Sequence, residues 1–427
     1  MDGARQVGKS FIIRHVGKKL FQNYIEVNLL EDSLSERRFE RVGSVNDFYF
    51  QLSMVYGDLM DSRENTLIFL DEIQAYPHLL TLLKFLREDN KFTYIASGSL
   101  LGVTLARTSS IPMGGIEILP MYPLDFEEFL LANGFNRAAI QRLKADFANR
   151  KQQDETTHRN LMDLFKRYLI VGGMPDAVNS FVETRNVAKI RKVQSEIHEF
   201  YATDASKYDQ ENRLKIRRIY DMVPSNLGNK KKRVVASKID NKKGAVMSKY
   251  SDEFDYLTNS GIALEVDAVS APKFPLLESG TKNLLKLYMN DVGILSNILY
   301  GMNPKAILDD ERSINLGTLY ENMVACELKA HGFRLFYYDN RDRGEVDFLV
   351  DDYADLSCLP IEVKSGKDYY IHRALNNFLE TKDYNVRKGI VFSNERKVFT
   401  DEKNITYMPI YYVMFVEPYA GIFQVLL

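Results

Sequence analysis

The stretch Gly3-Ala4-Arg5-Gln6-Val7-Gly8-Lys9-Ser10 decides how the first third of this chain is read. It fits G-x-x-x-x-G-K-[ST], a pattern in which glycines let backbone N–H groups curl around phosphates while a lysine and a hydroxyl complete the site. Gly3 and Gly8 give the backbone that freedom. Lys9 is placed to reach the outer phosphates of a nucleotide, and Ser10 to ligate Mg²⁺. Phe11, Ile12, Ile13, Val16 and Leu20 follow at helical spacing. The loop therefore opens a helix whose N-terminal end favours bound phosphate.

Outward from the loop, short apolar runs alternate with helical stretches: "NYIEVNLL" (Asn23–Leu30), "TLIFLDEI" (Thr66–Ile73), "FTYIASGSL" (Phe92–Leu100) and "IEILPMYPLDFEEFL" (Ile116–Leu130). Such alternation predicts a parallel sheet covered by helices. Leu67 to Leu70 form a continuous apolar run, as a buried parallel strand does, and Asp71 and Glu72 follow at its carboxyl end, where ligand groups emerge. Asp71 is the candidate for the Mg²⁺ shell. Glu72 is the candidate that orients the attacking water, because phosphoryl transfer needs a positioned nucleophile and charge neutralisation. The next strand ends in "ASGS", so Ser97 or Ser99 could add a polar contact to the γ-phosphate.

At 427 residues the chain has room for two or three domains. A formal net charge of -2 gives no global nucleic-acid signature, so a basic binding surface must be local. Two cysteines, Cys326 and Cys358, without a C-x-x-C pattern argue against a disulfide framework or a zinc site. No apolar run approaches the length needed to span a bilayer, no leader pattern opens the sequence, and a cytoplasmic protein is expected. Three regions separate: residues 1–134 as the phosphate-loop domain, a charged and largely helical middle at 135–285, and an α/β unit at 286–427. Its strands are expected in "FRLFYYDN", "GEVDFLVDD", "LPIEVKSG", "KGIVFSN" and "YYVMFVEPY".

"GARQVGKS", "FLDEIQ", "IASGSL", "YPLDFEEFL", "GGMPDAV" and "KLYMNDVGIL" follow, in order, the motifs of a widespread group of bacterial and archaeal AAA-type ATPases. The resemblance implies ATP and Mg²⁺ as cofactors, with "GARQVGKS" as Walker A and "FLDE" as Walker B. It also implies a helical, winged-helix-like middle and a C-terminal domain of unknown function that resembles restriction endonucleases. Members of the group usually carry a short helix and a hydrophobic strand directly ahead of the loop. Here only Met1 and Asp2 precede it, so a central strand is expected to be missing and nucleotide affinity to suffer. Relatives also commonly carry an arginine after the position of Gly114, where this chain has Gly115; Arg107 is the nearby alternative.

A second constellation lies in "RDRGEVDFLV" and "LPIEVKSG". Alternation sends Glu362 and Lys364 to one face of a strand, and Ile361 and Val363 to the other, buried face. With Asp347 on the neighbouring strand and Glu321 on the helix of "GTLYENMVACELKAHG", the set resembles the PD-(D/E)xK nuclease pattern. Glu321, Asp347 and Glu362 are then candidate metal ligands and Lys364 the electrostatic partner in catalysis. The plainer reading is an edge strand with alternating charges. Candidate DNA contacts are the basic run Lys230–Lys243 and the pair Arg341 and Arg343 beside Asp347.

The reading is an α/β protein of three parts: P-loop domain, winged-helix-like middle and restriction-endonuclease-like C-terminal domain. Its leading function is ATP binding with slow Mg²⁺-dependent hydrolysis, coupled to binding of DNA or a partner. The alternatives are a Mg²⁺-dependent nuclease with a regulatory ATPase module, and a non-catalytic DNA-binding or interaction protein. Homo-oligomerisation stays open.

Overall fold

The computed structural model describes residues 1–60, 65–99, 101–107, 115–208, 213–229, 232–240, 244–311 and 313–418. They divide into two units, Met1–Tyr122 with Asn259–Ile262, and Pro123–Thr258 with Ala263–Leu427.

In the first unit β1 (Asn23–Asn28), β2 (Thr66–Asp71) and β3 (Thr93–Ala96) form a parallel sheet in the order β1-β2-β3. β2 is buried along its whole length because it has a strand on either side and a packed layer on either face. Ile68 and Leu70 join Phe48, Leu52, Leu79 and Leu83 in one core. On the other face Leu67 and Tyr24 lie against Gly17 of the helix Lys9–Leu20, where a Cβ would come within 2.6 Å of the Tyr24 ring. Parallel pairing brings the carboxyl ends of the strands together, and the Leu70↔Ala96 register sets Asp71 beside Ser97.

Asp2 makes isolated parallel bridges to Gly98 on one side and Pro120 on the other. Within Ile116–Leu130 no strand forms, a correction to the apolar reading; Asp2 lies alongside, its N–H bonding Leu119 O and its carbonyl receiving the Met121 N–H. The rest of that stretch contributes the helix Phe126–Ala132, started by the Asp125/Glu128 capping box.

The second unit carries the helices Arg137–Ala148, Glu155–Val171, Pro175–Thr184, Val187–Tyr208 and Arg213–Leu227, followed by a mixed sheet. Its strands are β4 (Ala263–Val269), β5 (Gly280–Met289), β6 (Phe336–Asn340), β7 (Gly344–Asp352), β8 (Ser357–Val363), β9 (Gly389–Ser393), β10 (Phe399–Thr400) and β11 (Ile405–Pro409). They run in the order β10-β11-β9-β8-β7-β6-β4-β5. The helix Leu316–Ala330 is buried along most of its length, and Asn322 pins it to β5 by bonding both the N–H and the carbonyl of Met289.

Three expectations are corrected here. Strands begin at Ala263 rather than near Lys286, since β4 pairs with β5 and β6. "YYVMFVEPY" is no strand: Pro409 ends β11, and Ile410–Phe415 is a 3₁₀ turn with every side chain buried, a pattern that carries no two-residue period. β8 is a central strand between β7 and β9, so Glu362 is buried along with Ile361 and Val363.

Two of the quoted motifs meet in this unit although they lie more than a hundred residues apart. Asp291 caps the helix Val292–Tyr300 by accepting the Ile294 N–H at 2.8 Å, and its other oxygen accepts the Gly173 N–H at 2.6 Å. Gly173 in turn leaves no room for a side chain, since a Cβ would stand 2.0 Å from Leu124 O. Burial raises the Asp291 carboxyl to about 6, against the pull of these N–H groups.

Candidate nucleotide site and acid cluster

Three elements deliver the first site: the loop before the helix Lys9–Leu20, the end of β2 and the end of β3. Gly8 sits at φ 98°, in the left-handed region that a glycine adopts without strain, and lets the chain turn into the helix. Lys9 is buried, and its ammonium donates to the loop's own carbonyls, Gly3 O at 2.8 Å and Ala4 O at 2.7 Å. Burial lowers its pKa to about 8, in part offset by Glu72, Asp2 and Asp71. A desolvated ammonium held by neutral carbonyls gains from an arriving anion.

Ser10 Oγ donates to Asp71 Oδ1 at 3.0 Å, and Ser97 Oγ and the Glu72 N–H donate to the same oxygen. The Ser10–Asp71 spacing suits Mg²⁺: neighbouring ligands of an octahedral ion with bonds of about 2.1 Å stand about 3.0 Å apart. The donor set thus fits a divalent cation between loop and strand. Glu72 leaves the strand in a left-handed conformation, φ 57°, and its carboxylate receives Gln74 Nε2 and, at 3.3 Å, Ser99 Oγ. Arg14 pairs with Glu26 at 2.6 Å and reaches Asp71 Oδ2 at 3.7 Å.

Gln74 and Arg14 are site residues that the sequence reading did not single out. Gln74 stood within "FLDEIQ", and its signal was its place two residues after the candidate base. Arg14 had only its position one helical turn after Ser10. Gly114 and the Arg107 side chain lie outside the described residues.

The second constellation comes together on β7, β8 and the helix Leu316–Ala330. Asp347 lies one residue beyond the Phe348↔Ile361 pair, across from Glu362, and accepts the Val363 N–H at 2.8 Å. Lys364 Nζ pairs with Glu362 Oε1 at 2.7 Å, while Glu362 Oε2 is buried without a hydrogen-bond partner. Burial, and Asp347 after it, raise Glu362 to about 8 against the pull of Lys364. Burial and Asp347 likewise raise Glu321, opposed by Lys232 and Lys286.

The candidate metal ligands are met by lysines. Lys232 pairs with Glu321 Oε1, Tyr288 OH donates to Glu321 Oε2 at 3.3 Å, and Lys286, fully buried, pairs with Glu345 at 2.6 Å. Among the described residues no three Asp, Glu, His or Cys side chains are grouped so as to hold a metal ion. As arranged, Glu321, Asp347 and Glu362 do not fit one. The basic run is corrected in the same way. Lys232 and Arg233 turn inward, Arg233 onto Asp339, whereas Lys238 is exposed; Lys230, Lys231, Lys242 and Lys243 lie outside the described residues. Arg341 is exposed, and Arg343 bonds Thr381 Oγ1 at 2.8 Å. Among the described residues no helix is long and apolar enough to cross a membrane.

Compared with known families, residues 1–130 match an AAA domain. Residues 162–305 match a domain of unknown function (DUF8612), and residues 316–413 another (DUF4143). No curated protein matches the chain. Neither description of unknown function speaks of a nuclease. The N-terminal match and the geometry of Lys9, Ser10 and Asp71 agree, and together they support an AAA-type domain with a nucleotide-binding, ATPase-like function.

Proposed function

We propose that the first unit binds ATP with Mg²⁺ and hydrolyses it slowly, and that the chain couples its nucleotide state to binding of DNA or a partner protein. One observation carries the reading: Lys9, Ser10, Asp71 and Ser97, from three separate segments, converge at the carboxyl end of the parallel sheet, with Glu72 adjacent. Lys9 turns from the carbonyls of Gly3 and Ala4 toward the outer phosphates. Ser10 and Asp71 would hold the cation, which would supply charge neutralisation for the phosphoryl group. Glu72, once released by Gln74, orients water and accepts its proton. Gly115, where relatives commonly carry an arginine, supports a slow rate, since an arginine at the γ-phosphate is worth about 10³ or more. Exposed Lys238 and Arg341 support the nucleic-acid side of the coupling.

Titration of the purified chain with a fluorescent ATP analogue and Mg²⁺, beside Lys9→Ala, tests this. Binding that disappears in the variant supports the reading, and binding that the variant keeps overturns it.

A second reading, a nuclease with a regulatory ATPase module, draws on the partnerless oxygen of Glu362 beside Asp347 and Lys364. It expects Asp347→Ala or Lys364→Ala to abolish cleavage of DNA or RNA. A chain that cuts neither under varied metals removes it.

A further inference from the structure

The phosphate loop has a neighbour that comes from far along the sequence. Asn259–Ile262 belongs to the first unit with Met1–Tyr122, although the chain before it, up to Thr258, and after it, from Ala263, belongs to the second. It is the turn between the helix Ser251–Asn259 and β4. Ser260 and Ile262 are buried, and so is Ala4 of the loop.

Two glycines set how close this turn comes. Gly261 has φ 72°, and a Cβ on it would stand 3.0 Å from Ala4 N. Gly102 faces the start of the turn, where a Cβ would stand 2.3 Å from Asn259 O and 3.0 Å from Asp2 Oδ2. At both points backbone lies on backbone, an approach that the missing side chain permits. Asp2 ties the two points together, because its Oδ1 accepts the Gly3 N–H at 2.8 Å and the Gly102 N–H at 3.2 Å.

A nucleotide would act on the same residue that the turn touches. The nitrogen of Ala4 faces Gly261, and its carbonyl accepts the Lys9 ammonium at 2.7 Å. A phosphate that draws Lys9 away removes a hydrogen bond from Ala4. A ligand shifts an equilibrium elsewhere only through contacts that differ between its free and bound states, and here that contact and the turn share one residue.

We propose that the turn Asn259–Ile262 positions the phosphate loop through Gly261 against Ala4, and that it is the relay by which nucleotide state passes into the helix Ser251–Asn259 and β4, to which the chain joins it. The inference rests on the ATP reading of the first unit and names the segment through which that reading's coupling runs.

The experiment is amide hydrogen exchange of the full chain, read by mass spectrometry with and without Mg²⁺ and the non-hydrolysable analogue AMP-PNP at about 100 times its Kd. Ligand held by the closed loop should slow exchange of the amides at 260–262 by at least about tenfold, and leave those of β11 within about twofold. Gly261→Ala adds a Cβ against Ala4 N and should weaken AMP-PNP binding by at least about fivefold. Gly332→Ala, at φ 89° with nothing within 4 Å of its Cβ, carries the same backbone strain and should bind within about twofold of the unaltered chain. Binding that leaves exchange at 260–262 unchanged overturns the proposal while the ATP reading stands; so does a folded Gly261→Ala that binds as tightly as the unaltered chain. If Gly261→Ala does not fold, the exchange measurement on the unaltered chain decides alone. An unaltered chain that binds no AMP-PNP overturns the proposal and the ATP reading together.

Discussion

The affinity of the first unit for a nucleotide should fall about tenfold between pH 7 and pH 9, and Lys9 is the reason. In the free protein its ammonium is buried, donates to the carbonyls of Gly3 and Ala4, and has a pKa held down by burial to about 8 although Glu72, Asp2 and Asp71 lie near. A bound polyphosphate supplies the negative charge that burial alone does not, so the pKa rises on binding and binding takes up a proton above pH 8. The sign follows: affinity is full below about 8 and declines as pH climbs through that value. The protonated fraction drops from about 0.9 at pH 7 to about 0.1 at pH 9, a loss near 1.4 kcal/mol. A lysine at its ordinary value would lose only a few per cent over the same range. The assay is a titration with a fluorescent ATP analogue at fixed free Mg²⁺, across this range, where the phosphates are already ionised. Lys9→Arg keeps its charge throughout and should bind with a flat profile. A flat profile in the unaltered chain, or the same decline in Lys9→Arg, refutes the assignment of Lys9 as the buried phosphate-binding cation.

Glu72→Gln should leave nucleotide affinity within about threefold and lower turnover by about 10² or more, measured by phosphate release; unchanged turnover would end its role as the water-orienting base. Asp291→Ala strips acceptors from the Gly173 and Ile294 N–H groups inside a packed unit. It should lower the stability of that unit by about 2–4 kcal/mol in denaturant melts, and a change below about 0.5 kcal/mol would mean the two motifs are not joined through this carboxylate. His331 is lowered by its burial but raised more strongly by Asp125, Glu327 and the Val416 carbonyl, reaching about 9. A histidine raised in this way stabilises the fold below pH 6.5, and that contribution is lost as pH rises through about 9, so His331→Gln should flatten the decline in melting temperature across that window.

The loop and β2 could be read from residues alone because their signals are local. Gly8, Lys9 and Ser10 work through the backbone around them, and Leu67 to Leu70 sit between neighbouring strands whose identity does not matter to the pattern. The acid pair after β2 was legible for the same reason. What sequence reading lost were features set by distant partners. "YYVMFVEPY" looks like a strand because it is apolar, but Ile410–Phe415 is apolar on every side, and only its neighbours decide between turn and strand. β4 and β5 were hidden in a charged stretch whose pairing with β6 appears only in three dimensions. Lys232 and Arg233 read as part of a basic run of candidate DNA contacts, since nothing local says that Glu321 and Asp339, about a hundred residues onward, take up their charges.

The two clusters differ in what they leave undone, and that difference ranks the readings. In the first, the buried charge is a cation whose hydrogen-bond acceptors among the described residues are neutral carbonyls, while the neighbouring acid, Asp71, is served by hydroxyls and an N–H. An anion arriving with a divalent ion would give Lys9 a further counter-charge and Asp71 a cation in place of hydroxyl donors. In the second, each of Glu321, Glu345 and Glu362 already has a lysine, and among the described residues one oxygen of Glu362 is buried without a hydrogen-bond partner. A divalent ion there must first displace a buried ammonium and leave it a place in water. The folded arrangement thus favours an arriving anion and cation at the first cluster, whereas at the second existing ion pairs would oppose a cation, which is why the ATPase reading leads.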